Sequence, residues 1–150
     1  MTTIAWDGKM LVAAKQLTIS DLYKAKVTKI RRVKTGLLFG AGDMATIREL
    51  MNWFENGADP NNWPEIQKGN EWMPLHWIGS AGTIFRYDNS PTPYVIETPF
   101  YATGSGMAYA LAAMQLGYDA RTAVLTAAKF DPFTSEDIDV LYLNDRAWVS

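Results

Sequence analysis

The chain has 150 residues, 14 basic and 16 acidic side chains and a formal net charge of −2, with 48% apolar and 20% charged residues. That balance fits a single globular domain over 1–150 and gives no electrostatic footprint for nucleic acid. Cysteine is absent, which excludes disulfides, thiolate metal sites and a cysteine nucleophile. No apolar run reaches bilayer-spanning length and no secretion-type leader is legible, so a cytoplasmic protein with no membrane partner is expected.

Thr3 to Trp6 and Lys9 to Ala14 read as two strands joined by Asp7-Gly8, a strong hairpin signal. A third strand is expected over Val27 to Val33 on its β-branched content. Leu37-Leu38-Phe39 forms a buried strand ending at Gly40-Ala41-Gly42. Asp43 then caps a helix from Met44 to Glu55, whose Met44, Ile47, Leu50, Met51 and Phe54 recur at helical spacing. Asn56 to Pro74, with three prolines and two tryptophans, reads as an irregular loop holding one helical turn. Trp77 to Phe85, Tyr94 to Thr98 and Phe100 to Thr103 read as strands, the last ending at Gly104-Ser105-Gly106. Helices follow over Met107 to Leu116 and Ala120 to Phe130, broken at Gly117 and capped at Asp119. Ile138 to Leu143 is a final strand, with Arg146 to Val149 as its hairpin partner. Runs of strands separated by helices, without βαβ alternation, give an α+β class with two stacked sheets and helices outside.

Three features carry candidate chemistry. Gly40-Ala41-Gly42-Asp43-Met44-Ala45 satisfies the local G-x-G-x-x-A pattern of dinucleotide sites. The acid that such a site needs about 20 residues on is replaced by Asn61, Asn62, Trp63 and Pro64, so the nucleotide reading fails. Gly104-Ser105-Gly106 opens a helix and reads as either a structural turn or an anion or serine site. His76, the only histidine, lies near Trp72 and Trp77 and reads as a packed or surface residue, not as part of a triad. Thr2 differs from these. Removal of Met1 would expose a threonine whose hydroxyl is the nucleophile and whose α-amine, with a reference pKa of about 7.7–8.0, is the base.

Taken in order, these segments resemble the proteasome β-subunit family, and within it the HslV type of bacterial ring protease. Thr2-Thr3-Ile4, Asp7-Gly8 and Leu11-Val12-Ala13-Ala14 are similar to its mature N-terminus. Val27-Thr28-Lys29-Ile30-Arg31-Arg32 resembles the strand bearing the family's active-site lysine, and Gly40 falls where it supplies an oxyanion-hole N–H. Ala102-Thr103-Gly104-Ser105-Gly106 and Asp131-Pro132-Phe133-Thr134 resemble the two segments that hold the terminal threonine. The resemblance implies an N-terminal-nucleophile (Ntn) hydrolase, a four-layer αββα sandwich with a reduced outer helical layer, acting as a threonine peptidase on polypeptides. Thr2 would be the nucleophile, Lys29 a cation beside it and Gly40 the oxyanion donor. Ser105, Asp131 and Thr134 would support the amine. A ring-type homo-oligomer without cofactor or metal is implied.

Two departures stand out. Lys15 occupies the place of the family aspartate that pairs with the lysine. A like charge there is expected to depress the Lys29 pKa or push its side chain away, with Asp7 or Asp21 as substitute acids. That leaves a weak or inactive assembly or binding protein as the alternative. The middle holds one helix where ring proteases stack two. Ring size and an ATPase partner are therefore not carried over, and Trp63 or Trp72 becomes a candidate subunit contact.

Overall fold

The computed structural model describes residues 2–65 and 73–144. Thr3–Trp6 (β1) is buried at every position because both faces of its sheet are covered. Ile4 and Trp6 point one way and Ala5 the other, as a two-residue period dictates. β1 pairs antiparallel with Met10–Ala14 (β2) across Asp7-Gly8. The Asp7 carboxylate closes this turn by accepting from the N–H groups of Lys9 and Met10, both at 2.9 Å. Its second oxygen accepts from Ala120 N–H at 2.8 Å, tying the turn to a helix 113 residues away.

β1 and β2 are the centre of a four-stranded sheet completed by Tyr101–Gly104 (β10) and Ile138–Tyr142 (β11), in the order β10-β1-β2-β11. A five-stranded sheet runs in sequence order through Ile30–Val33 (β5), Gly36–Phe39 (β6), Leu75–Gly79 (β7), Ile84–Tyr87 (β8) and Tyr94–Ile96 (β9). All of its pairs are antiparallel, which removes the parallel unit that a dinucleotide site at Gly40 would need.

Three apolar layers hold the elements together. Ile4, Trp6 and Leu11 of one sheet meet Ile30, Phe39 and Ile78 of the other. Helices Met107–Gln115 (α2) and Ala120–Phe130 (α3) cover the outer face of the four-stranded sheet. Alanines dominate that layer, with Ala5, Ala14 and Ala102 facing Ala110, Ala123 and others, so helix and sheet approach closely. Helix Met44–Glu55 (α1) covers the five-stranded sheet through Ile47, Leu50 and Met51, and Asp43 caps it as expected. The result is the αββα sandwich, with one helix on one side and two on the other among the described residues.

Several boundaries differ from the sequence reading. The stretch read as one strand from Val27 contains only β5. An unforeseen hairpin, Gln16–Ile19 (β3) with Tyr23–Lys26 (β4), precedes it. Trp77 to Phe85 is not one strand but the β7–β8 hairpin, which turns at residues 80–83. The single helical turn expected in the long loop is the 3₁₀ turn Pro60–Asn62. Trp63 is not a free surface residue: it packs edge-on against Trp53 at 4.7 Å and also faces Tyr87. Trp72 and the hairpin partner expected over Arg146 to Val149 lie outside the described residues.

Candidate active site

The site forms where the start of β1 meets the ends of the other strands. Thr2 continues the alternation of Ile4 and Trp6, so its side chain faces the space between the sheets while Thr3 faces the helices. Thr2 is buried, and its hydroxyl donates to the Ala14 carbonyl at 3.2 Å. Gly104 stands opposite Thr3 in the ladder at φ +98°, and a Cβ there would lie 1.8 Å from the Thr2 carbonyl oxygen. Only glycine fits both the left-handed conformation and that approach. This accounts for the first glycine of Gly-Ser-Gly.

The structure brings Ser105, Asp131 and Thr134 together. Ser105 Oγ and Thr134 Oγ1 each donate to Asp131 Oδ2 at 2.6 Å, and Phe133 N–H donates to Oδ1 at 3.1 Å. Burial opposes ionisation of Asp131, but these donors outweigh it and hold the carboxyl below its ordinary range. Ser105 Oγ also lies 3.4 Å from the Thr2 carbonyl oxygen.

Sequence reasoning missed Thr3. Its hydroxyl lies 2.7 Å from Thr134 Oγ1. Since the one Thr134 proton goes to Asp131, Thr3 donates to Thr134. The four residues thus form a hydroxyl chain ending on one carboxylate. A Cβ on Gly106 would sit 2.1 Å from Thr3 Oγ1 and 3.2 Å from Asp131 Oδ2, so the second glycine keeps this chain open. The signal available in the sequence was the period: a hydroxyl one residue out of phase with Ile4 and Trp6 must face the helix side.

Lys29, just before β5, is buried at 3% exposure. Its ammonium donates to the Gln16 carbonyl at 2.5 Å, its one hydrogen bond among the described residues. Ala14, the acceptor for Thr2, is two residues away on the same segment. Burial lowers the Lys29 pKa to about 7. The expected direction holds, but the expected cause does not. Lys15 pairs with Asp139 Oδ2 of β11 at 3.0 Å and with Thr28 Oγ1 at 3.2 Å, and burial alone accounts for the Lys29 shift. Neither substitute acid takes over: Asp7 is committed to its turn and to α3, and Asp21 is exposed in the β3–β4 turn at φ +57°.

Gly40 is buried directly after β6, and a Cβ there would lie 2.4 Å from Ile47 Cδ1 of α1. A side chain at this position would have to displace Ile47 from its packing against the sheet. His76 is fully buried between the sheets and forms no triad. No group of residues able to hold a metal ion occurs among the described residues. No helix among them is long and apolar enough to cross a membrane.

The arrangement offers a hydroxyl at the start of β1, a buried titratable amine just before β5 and an ionised carboxylate just after α3. No family model and no curated protein matches the sequence. Among solved structures the chain is similar to eukaryotic HslV from Trypanosoma brucei at 26% identity and a TM-score of 0.71, covering 95% of this chain and 99% of that one. It is also similar in fold to Thiobacillus denitrificans BPH, at 22% identity and a TM-score of 0.67, covering 95% and 97%. The chain has the α+β sandwich fold of the HslV and proteasome-like N-terminal-nucleophile hydrolases.

Proposed function

We propose that the protein is a threonine peptidase that cleaves polypeptides with Thr2 once Met1 has been removed. The observation that carries this reading is the hydroxyl chain Thr3–Thr134–Asp131–Ser105 converging beside Thr2, within a fold shared with HslV. The anionic end of that chain favours a cationic group nearby, which suits the α-amine of a trimmed Thr2.

In the reaction, Thr2 Oγ1 attacks the scissile carbonyl carbon and its proton passes to the α-amine. The Gly40 N–H donates to the tetrahedral oxyanion, and the Lys29 cation lowers the proton affinity of the hydroxyl. Collapse breaks the C–N bond, the α-ammonium protonates the leaving amine, and water hydrolyses the ester at Thr2. Ser105, Asp131 and Thr134 fix the amine throughout. No cofactor or metal enters these steps. A homo-oligomer of the ring type is part of the proposal, without a stated subunit number or ATPase partner, in a cytoplasmic setting.

A second reading, an assembly or binding protein with weak or no activity, is favoured by one observation: among the described residues Lys29 has no carboxylate partner. Hydrolysis of an unfolded polypeptide such as casein, followed alongside size in solution, separates the two. The peptidase reading expects turnover by protein that starts at Thr2 and none by Thr2→Ala. An oligomer that leaves casein intact favours the second reading.

A further inference from the structure

His76 takes no part in the proposed chemistry, yet it is fully buried in the layer between the sheets. It stands on β7 opposite Phe39 of β6 and Arg86 of β8, so all three project from the same face of the five-stranded sheet. Its ring stacks on Phe39 with centroids 4.5 Å apart and planes 8° from parallel. Its Nε2 lies 2.9 Å from the hydroxyl of Tyr101, which belongs to β10 of the other sheet.

The protons in this group can be assigned. Arg86 Nη1 donates to the Tyr101 oxygen at 3.0 Å, while Arg86 Nε is held by Asp88 Oδ1 at 2.7 Å. The Tyr101 proton then has His76 Nε2 as its acceptor, which leaves the imidazole proton on Nδ1. Burial and the facing Arg86 charge push the His76 pKa down to about 3, so the ring is neutral at any physiological pH. Among the described residues Nδ1 is buried without a partner in hydrogen-bond geometry, and the neighbouring Phe39 carbonyl is the backbone group that favours a proton on the ring. That carbonyl and the Gly40 N–H are opposite ends of one planar peptide unit.

The two sheets contribute different parts of the site. Thr2 and Ser105 directly flank strands of the four-stranded sheet, Lys29 and Gly40 strands of the five-stranded one. Most of the layer joining them is aliphatic and aromatic, and such packing resists sliding less specifically than a directional bond does. Tyr101 lies three residues from Gly104, which touches Thr2, and Phe39 lies one residue from Gly40.

We propose that His76 is a positioning residue for the oxyanion end of the site: held by Tyr101 of the opposite sheet and stacked on Phe39, it fixes the Phe39–Gly40 peptide relative to Thr2. The catalytic consequence rests on the peptidase reading; the positional one does not. Tyr101→Phe removes the hydroxyl at constant ring shape, and His76→Phe keeps the stack without the hydrogen bond. His76→Gln, which retains a polar group at the side-chain end, is the conservative variant.

Two measurements test this. In amide NMR of the full chain, Tyr101→Phe and His76→Phe should both shift the Gly40 N–H resonance, while that of Gly57, beyond the far end of α1, stays in place. In peptide hydrolysis the same variants should lose kcat by roughly tenfold or more with KM little changed, as expected for a misplaced transition-state donor. His76→Gln should recover part of that loss. A Gly40 resonance unmoved in both folded Phe variants overturns the proposal. So does a moved resonance with wild-type kcat in a turning-over enzyme. If wild type shows no turnover while the resonance moves, the positional claim stands and the peptidase reading falls. Should His76→Phe fail to fold, Tyr101→Phe alone decides.

Discussion

The two halves of the site are stabilised in opposite ways. On the Asp131 side a carboxylate is met by three donors, two of them hydroxyls at 2.6 Å, and its ionised form is favoured. On the Lys29 side an ammonium is buried against a single neutral carbonyl, and its ionised form is disfavoured. The acid expected to neutralise it is replaced by Lys15, which has found its own partner in Asp139. One half is held by paired hydrogen bonds; the other keeps its group in place by packing, with no carboxylate beside its charge among the described residues. Substitutions on the first half should therefore cost both stability and activity, whereas on the second half the two should separate.

The largest effect is expected at Gly104, where β10 meets the start of β1. Gly104→Ala forces a left-handed conformation worth about 1–2 kcal/mol on an L-residue and adds an overlap with the Thr2 carbonyl. The measurement is chemical denaturation together with peptide hydrolysis, and both should fall sharply. A near-wild-type protein would mean that the start of β1 is free to move.

Asp131→Asn comes next. It leaves the Ser105 and Thr134 hydroxyls facing an amide, at a cost of about 1–3 kcal/mol in denaturant unfolding and with most of the turnover lost.

Lys29→Met should break the pattern. Because the Lys29 pKa is lowered in the fold, the unfolded chain binds more protons between about pH 7 and 10.5. The penalty for burying the cation is complete below pH 7 and fades as pH rises through that window. The methionine variant should remove this rise from stability measured against pH, be at least as stable as wild type at pH 7, and have lost turnover. An unchanged pH dependence would show that Lys29 is not buried as described.

The smallest effect belongs to Lys15→Met, which deletes a half-exposed pair with Asp139 and should change stability by less than about 1 kcal/mol. Its use lies in the pH profile. If Lys15 is electrostatically separate from Lys29, the apparent pKa on the Lys29 limb stays put.

The same contrast governs how much was legible in the sequence. Gly104-Ser105-Gly106 and Asp131 to Thr134 are short segments whose geometry is largely local, and the structure brings the first to Thr2 and the second to Thr3 and Ser105. Thr3 escaped notice because its role depends on which face of β1 it occupies relative to α2 and α3. The fate of Lys15 was not legible either, since Asp139 lies 124 residues away and becomes its neighbour only through the β2–β11 pairing. The β3–β4 hairpin was missed for a different reason. Its turn places Ser20 and Asp21 at φ of 53° and 57° without a glycine, so the usual hairpin signal is absent. In the β7–β8 hairpin, β-prone residues on both sides of Gly79 to Thr83 merged into one apparent strand.

The central claim is that Thr2 carries hydroxyl and amine together in a working site. A peptide epoxyketone tests both at once, because its ketone captures the hydroxyl and its epoxide the amine of the same residue. Protein confirmed by mass to begin at Thr2 should gain one inhibitor per chain, mapped to Thr2 and absent from Thr2→Ala. A chain that begins at Thr2, is folded and assembled, and takes up no inhibitor would contradict the account.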